Sequence, residues 1–181
     1  MESKGTSPSR CNDEGKKWIL CGLERSEDRL DEYIEENNVE RSYPQDKVES
    51  KNYDNEKVKK IDKRAIDDGY LSGKWEVKID TKRIDDIWEI ITKMVDENDI
   101  WGAQVTTNWI RQEKSIDPHM VRVYTPNYLD KNDVIRVGEL VKKRCDIEKK
   151  IRYKPDIYNI LQVYSDEGEI NKLPKEIRYE L

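Results

Sequence analysis

The sequence has few of the residues that build metal sites and disulfide frameworks. Its 181 residues include one histidine, His119, and three cysteines, Cys11, Cys21 and Cys145, which are far apart and form no C-x-x-C pair. This set cannot supply the ligands of a zinc site. An odd number of widely spaced cysteines is typical of reduced structural thiols in the cytosol. We therefore predict a cytoplasmic protein with no bound metal and no cofactor.

Long apolar runs and an excess of positive charge are missing as well. No stretch approaches the roughly 18 consecutive apolar residues of a membrane helix, and the first residues, MESKG, contain no apolar signal segment. The net charge of −5 argues against a general nucleic-acid-binding surface, although a local cluster of cations can still bind phosphate. With 40% charged and 35% hydrophobic residues, we expect a compact part, a solvated part and no membrane partner.

The motifs of several enzyme classes are also missing. The sequence contains no phosphate-loop pattern, no G-x-S-x-G and no spaced pair of carboxylates. Catalysis by a cysteine would need a histidine partner, and no such pair can be assigned. The sequence therefore leaves open whether the protein is an enzyme, and it indicates no oligomeric state.

The composition divides the chain into three parts. Residues 1–16 are rich in Ser, Gly, Asp and Glu, which predicts a disordered tail. Residues 17–69 begin with an apolar run that predicts a strand, followed by an amphipathic helix that begins near Ser26. The end of this part, Arg41–Asp68, is rich in Lys, Asp and Asn and predicts a long loop or charged linker, with helical fragments as an alternative within it. Residues 70–181 predict the core domain.

Alternation of apolar and polar residues predicts the strands of the core domain. These strands are Trp75–Ile79, Trp101–Thr107, His119–Thr125, Ile151–Lys154, Asn159–Ser165 and, at an edge, Glu176–Leu181. The segment between the second and the third of them is predicted as a polar connection.

Two amphipathic helices are predicted to cover one side of this sheet. Apolar residues at helical spacing indicate one helix after Asp80 and another from Asp130 or Asn132 to about Arg144. Gly138 lies inside the second helix and lowers its propensity by about 1 kcal/mol relative to alanine, so we expect it to permit a close approach to the sheet. Together these elements predict an α+β fold.

The same alternation predicts a polar side of the sheet, away from the helices. It carries five cations, two tyrosines and one carboxylate among the residues Lys74, Glu76, Lys78, Gln104, Thr106, Arg122, Tyr124, Arg152, Lys154, Gln162 and Tyr164. This local positive charge is opposite in sign to the net charge of the whole chain, and it favours a phosphate or nucleotide site with aromatic stacking nearby. The alternative is a solvated surface whose cations prevent aggregation.

Three further residues are candidates for a role at this side. His119 follows Pro118 at the start of a strand and can act as a general acid or a phosphate donor. Trp101 and Trp109 can stack on a base. The alternatives are a structural or surface histidine and two tryptophans of the hydrophobic core.

Five short motifs follow one another along the core domain. They are G-K-W at Gly73–Trp75, D-D-I-W at Asp85–Trp88, V-Y-T at Val123–Thr125, D-V-I-R-V at Asp133–Val137 and Y-K-P-D-I-Y at Tyr153–Tyr158. In this order they resemble the pattern of the basophilic-leukemia-expressed proteins, a family of unknown function. The resemblance covers roughly Gly73 to Tyr164, about half of the chain.

The order of these motifs is also similar to that of the cap-binding translation initiation factors. In that family a G-x-W strand, a D-x-x-W helix and a helix with an I-G step follow one another, and Val137-Gly138 stands at this step here. The resemblance implies a curved, mainly antiparallel sheet backed by two or three helices. It does not imply the cap site, because no tryptophan lies between Trp18 and Trp75, where that family has its base-sandwiching tryptophan.

Proteins of this kind are sometimes labelled phosphothreonine lyases. Such an elimination needs a base, an acid for the leaving phosphate and arginines that hold the phosphate. Lys154 or Lys74 as the base, His119 as the acid, and Arg122 with Arg152 as phosphate ligands supply these residue types.

Three functions therefore stand as hypotheses. The first is a module that binds a phosphorylated ligand, which is a nucleotide, RNA or phosphopeptide. Its phosphate ligands are Lys74, Arg122, Arg152 and Lys154, and Tyr124 stacks or donates a hydrogen bond. The second is the phosphothreonine or phosphoserine lyase. The third is a protein-interaction module without a small ligand.

Overall fold

The computed structural model describes residues 6–23, 27–41, 56–161 and 178–181. Within these residues there are six strands in one sheet and six helices. The strands are β1 (Trp18–Cys21), β2 (Gly73–Ile79), β3 (Gly102–Thr106), β4 (His119–Thr125), β5 (Arg152–Pro155) and β6 (Tyr179–Glu180). The helices are α1 (Glu27–Glu36), α2 (Glu56–Asp68), α3 (Thr81–Asp96), α4 (Asn108–Lys114), α5 (Lys131–Arg144) and α6 (Asp156–Ile160). None of these six helices is long and apolar enough to cross a membrane.

The sheet is antiparallel throughout, and its strand order is β1-β3-β4-β2-β5-β6. β2 pairs with β4 over its whole length, from Gly73 opposite Thr125 to Ile79 opposite His119. β1 and α1 lie where the sequence predicts a strand and an amphipathic helix, and β6 is the predicted edge strand. The predicted α+β fold is therefore confirmed.

The main hydrophobic core lies between the sheet and the helices α3 and α5. Trp75 of β2 is fully buried in it, and its indole nitrogen donates a hydrogen bond to the backbone oxygen of Val134 at 2.8 Å. A Cβ atom added to Gly138 would lie 2.6 Å from the Trp75 ring, so α5 crosses the sheet at the close distance that the sequence predicts. The buried stripe of α3 consists of Ile84, Ile87, Trp88, Ile91, Met94 and Val95.

A helix, α2, occupies the end of the segment that the sequence predicts as a loop or linker. Its apolar residues are isolated in the sequence but regularly spaced, because Val58, Ile61 and Ala65 fall on one side of a helix and are all buried. For residues 56–68 the structure shows the helical alternative in place of the loop. Residues 42–55, the rest of the predicted linker, lie outside the described residues.

α4 and α6 also replace segments that the sequence predicts without helices. α4 fills the predicted polar connection and begins after Thr107, whose hydroxyl accepts a hydrogen bond from the N–H of Ile110 at 3.3 Å. α6 follows Pro155 directly and occupies the first part of the predicted strand Asn159–Ser165. Residues 162–165 of that strand lie outside the described residues.

Part of residues 6–16 is packed against α3 and α4, whereas the sequence predicts a disordered tail; residues 12–16 are exposed. Cys11 is buried in the main core, and its backbone oxygen accepts a hydrogen bond from the N–H of Trp109 in α4 at 3.0 Å. Ser9 binds the carboxylate of Asp85 on α3 through its hydroxyl and, at 3.0 Å, through its N–H. These contacts join distant parts of the chain, which is why the composition of the segment does not indicate them.

Candidate anion-binding site

The side of the sheet opposite the main core forms a polar face. Strand registers assign to it Trp18, Leu20, Lys74, Glu76, Lys78, Gln104, Thr106, Met120, Arg122, Tyr124, Arg152, Lys154 and Glu180. The five candidate ligand-binding residues of the sequence analysis are all among them. Two predicted members, Gln162 and Tyr164, lie outside the described residues.

Two rows of side chains cross the polar face from strand to strand. The first row has one residue from each strand, in the order Leu20, Gln104, Arg122, Glu76, Arg152 and Glu180. Its charges alternate in sign, so every cation has a carboxylate beside it. The second row runs Gly102, Tyr124, Lys74 and Lys154, and its two charged residues are both cations.

The arginines of the first row are paired with carboxylates. Arg122 Nε donates a hydrogen bond to Glu76 Oε1 at 3.1 Å, and Arg152 lies 3.6 Å from the carboxylate of Glu180. The guanidinium of Arg122 also lies over the ring of Trp18, 4.6 Å from the ring centroid. This row therefore contributes little net charge to the polar face.

Lys74, in the second row, is held by a carboxylate from the start of α6. Its side chain is only 3% exposed and forms an ion pair with Asp156. Asp156 also accepts a hydrogen bond from the hydroxyl of Ser72 at 2.7 Å. The ammonium of Lys74 lies 5.6 Å from the ring centroid of Tyr124. These contacts fix the position of the Lys74 ammonium.

Positive charge is concentrated where Lys154 stands directly opposite Lys74. Partial burial lowers the pKa of the Lys154 ammonium, and the charges of Lys74 and Arg122 lower this pKa further, while the carboxylate of Glu76 acts in the opposite direction. An anion bound beside Lys154 would relieve this repulsion. Burial raises the pKa of Tyr124 to about 12, so its hydroxyl remains a neutral hydrogen-bond donor at neutral pH.

His119 does not reach the polar face. Its side chain is fully buried, and it shares the inward side of β4 with Val121 and Val123. The ring Nδ1 lies 2.8 Å from the backbone oxygen of Thr106 and must donate to it, and burial lowers the pKa of the imidazole. Since His119 and Lys154 lie on opposite sides of the sheet, no single substrate can reach both. The lyase hypothesis with this acid and this base therefore has no geometric support.

The two tryptophans proposed for base stacking lie elsewhere. Trp101 packs against the small cluster of Tyr33, Ile34 and Val39 that anchors α1. Trp109 lies in α4, next to the N-terminal segment. The tryptophan that does lie on the polar face is Trp18.

Sequence reasoning missed Trp18, Asp156 and Glu180. The run W-I-L-C of β1 carries the signal for Trp18, because Ile19 and Cys21 are buried and Trp18 must then point the other way. Asp156 lies within the motif Y-K-P-D-I-Y but outside the strand pattern from which the polar side is predicted.

Two surface cavities lined by described residues lie away from the polar face. One of about 630 Å³ lies along α5, where Ile135, Arg136 and Leu140 form part of its wall. Another of about 480 Å³ lies between the N-terminal segment and α3, with Asp85 and Trp88 in its wall. These cavities do not contain the candidate ligand-binding residues, which lie on the sheet surface itself.

The fold and the site define an α+β protein whose antiparallel sheet presents a cation-bearing polar face opposite its helical layer. The chain belongs to the family described as basophilic leukemia-expressed protein Bles03, whose sequence model matches residues 4–162. The resemblance noted from the five motifs is thereby confirmed.

Three solved structures illustrate what the chain is similar to. One is C. elegans eIF4E-3 with the 4E-binding protein Mextli and a cap analog (19% identity, 55% of this chain and 56% of that chain, TM-score 0.42). The second is Ascaris suum eIF4E-3 with the m2,2,7G cap (17% identity, 61% of this chain and 58% of that chain, TM-score 0.45). The third is a schistosome eIF4E with m7GpppA and 4E-BP (16% identity, 61% of this chain and 59% of that chain, TM-score 0.42). The chain thus spans less than two thirds of each of these proteins. Likeness of this degree carries no information about the ligand.

Proposed function

We propose that this protein binds a phosphorylated ligand on its polar face. Lys154 and Lys74 contact the phosphate, Arg152 adds positive charge at the side of β5, and Tyr124 donates a hydrogen bond. The ligand is a nucleotide, RNA or a phosphopeptide, which share the phosphate group. A cytoplasmic location belongs to the proposal, because three free and buried cysteines favour a reducing compartment.

The observation that carries the proposal is the direct cross-strand pairing of Lys74 with Lys154. Like charges in this position destabilise a sheet. The carboxylates of Asp156 and Glu76 offset part of this repulsion. A phosphate between the two ammonium groups converts this repulsion into two attractions, and each is a charge-assisted hydrogen bond.

The charge balance of the surroundings supports the same proposal. The polar face has five cations, Lys74, Lys78, Arg122, Arg152 and Lys154, and its carboxylates are Glu76, Glu180 and, from α6, Asp156. This positive balance occurs in a chain whose net charge is −5. A local reversal of sign attracts anions, and the attraction weakens as salt is added.

The proposal is tested by calorimetric titration of the full chain with inorganic tripolyphosphate at low ionic strength. We expect binding that weakens with added salt and a higher melting temperature in the presence of the anion. Lys154→Gln should weaken binding about 10- to 150-fold, because a hydrogen bond to a charged group contributes about 1.5–3 kcal/mol.

The matched control is Lys82→Gln, which removes an exposed lysine of α3 on the other side of the sheet. This variant should bind tripolyphosphate as the unaltered protein does. Absence of binding to the unaltered protein contradicts the proposal, and so does an equal loss of affinity in the two variants. Thermal unfolding of each variant verifies that it is folded.

A further inference from the structure

The polar face has two chemically different halves. The half formed by β2, β5 and β6 carries lysines, Arg152 and carboxylates. The half formed by β1, β3 and β4 has one charged residue, Arg122, and presents three apolar side chains, because Trp18 and Met120 are partly exposed there and Leu20 is 36% exposed. A ligand that uses the whole surface must therefore be charged at one end and apolar at the other.

Arg122 stands at the boundary of the two halves and is held in one orientation. Its Nε donates to Glu76 on the charged side, and its guanidinium lies over the ring of Trp18 on the apolar side. The two contacts fix the plane of the guanidinium, and 27% of the side chain remains exposed. A planar guanidinium on an indole ring is a surface on which another planar group can stack.

We infer that this Trp18–Arg122 platform stacks the base of a nucleotide while the phosphate of the same nucleotide reaches Lys74 and Lys154. This inference rests on the proposed function and narrows its ligand to a nucleotide, either free or within RNA. Arg122 is then a stacking group rather than the phosphate ligand that its charge alone indicates. Gln104, directly opposite Arg122 on β3, offers an amide donor and an acceptor to the edge of the base.

The spacing of the strands favours a nucleotide over a phosphotyrosine. Arg122 and Lys74 lie on neighbouring strands, and their positions differ by two residues along the strand direction, so their backbones are about 8 Å apart. Lys154 lies one strand further from Arg122, and the backbones of these two residues are about 12 Å apart. In a nucleotide the sugar separates the base from the phosphate. In phosphotyrosine the phosphate is attached directly to the ring, which is too short a connection for both contacts.

The test compares ligands with and without a base on the full chain. Adenosine triphosphate and guanosine triphosphate should bind about tenfold more tightly than inorganic tripolyphosphate, since stacking on an aromatic side chain adds affinity for any base. Trp18→Leu should reduce nucleotide affinity to that of tripolyphosphate and leave tripolyphosphate binding unchanged. Trp18→Phe should keep most of the difference in affinity between nucleotides and tripolyphosphate. Trp109→Leu, which changes a residue outside the strands, should keep all of this difference.

The outcomes separate this inference from the proposed function. If nucleotides and tripolyphosphate bind equally and Trp18→Leu changes neither affinity, the stacking platform is refuted and the phosphate site stands. If none of these anions binds, the proposed function fails, and the inference fails with it. A phosphotyrosine peptide that binds as tightly as the nucleotides, with the same dependence on Trp18, also overturns the inference.

The source of the nucleotide is resolved by a further comparison. A trinucleotide RNA that binds more tightly than a mononucleotide assigns the platform to RNA. Equal affinities assign it to a free nucleotide or to the end of a chain. Both results retain the base-and-phosphate recognition that the platform predicts.

Discussion

Lys74 and Lys154 stand directly opposite each other on β2 and β5, with their side chains on the same face of the sheet. A cross-strand pair of like charges is unfavourable, so its surroundings must compensate it. Asp156 forms an ion pair with Lys74, and burial lowers the pKa of Lys154; Glu76 opposes this effect, and the charges of Lys74 and Arg122 add to it. The carboxylate of Asp156 therefore lies next to the position that a ligand phosphate would take.

Asp156→Asn should destabilise the fold and strengthen anion binding. The free energy of unfolding should fall by about 2 kcal/mol, because Lys74 is buried and loses its charged hydrogen-bond partner. The affinity for tripolyphosphate should rise severalfold, since a competing negative charge is gone. Urea unfolding with and without tripolyphosphate measures both effects, and the anion should restore part of the lost stability.

The control for this change is Asp86→Asn, on the exposed side of α3. It removes one negative charge from the chain but none from the polar face. It should alter neither stability nor affinity measurably. An affinity of Asp156→Asn equal to or lower than that of the unaltered protein would show that Asp156 does not compete with the ligand.

The buried ion pair between Asp62 and Arg178 should contribute strongly to stability. Both terminal guanidinium nitrogens of Arg178 donate to the carboxylate of Asp62, at 3.2 and 3.0 Å, and the side chains are at most 2% exposed. Removing one partner leaves a buried charge, so Asp62→Asn or Arg178→Met should lower the free energy of unfolding by about 3–5 kcal/mol. Chemical denaturation of each variant measures this loss.

An exposed ion pair supplies the comparison for this prediction. Arg41 and Asp31 lie 2.7 Å apart with side chains about half exposed. Arg41→Met should therefore change the free energy of unfolding by less than about 1 kcal/mol. A similarly small change in Arg178→Met would show that the buried ion pair contributes no more to stability than the exposed one.

Strand periodicity was sufficient to derive most of the sheet and of the polar face. β4 has the bounds that the sequence predicts, and the inward and outward residues of β2 alternate as its sequence indicates. The reason is that a strand buried on one side has only two orientations, so Trp75 and Val77 in the core place Lys74 and Glu76 on the other side.

The order of the strands in the sheet, and the contacts that depend on this order, could not be predicted from the sequence. Trp18 comes to lie beside Arg122 only because β3, which pairs with β1, also pairs with β4. The same limit applies to the ion pair of Asp62 in α2 with Arg178, because these two residues lie 116 positions apart in the sequence. Long-range contacts of this kind leave no local periodic signal.

Gly138→Ala should destabilise the protein although alanine is the better helix former. The new Cβ would lie 2.6 Å from the Trp75 ring, which is itself fixed by its hydrogen bond to Val134. Overpacking of this kind costs about 1–3 kcal/mol, which exceeds the gain of about 1 kcal/mol in helix propensity. The control Glu139→Ala, at the exposed neighbouring position, should leave the free energy of unfolding nearly unchanged. A higher melting temperature of Gly138→Ala would contradict the close approach of α5 to the sheet.

Acid should destabilise the fold through His119. Burial lowers the pKa of this histidine below its ordinary 6.5, so as the pH falls through about 6.5 the unfolded chain binds a proton before the folded one does. The free energy of unfolding should therefore be constant above this pH and fall below it, until the folded pKa is passed. His119→Asn retains an N–H for the backbone oxygen of Thr106 and should remove this dependence. Urea unfolding between about pH 7.5 and pH 5.5, above the titration range of ordinary carboxyl groups, measures the two slopes. Equal slopes in both proteins would show that His119 is not kept neutral by its burial.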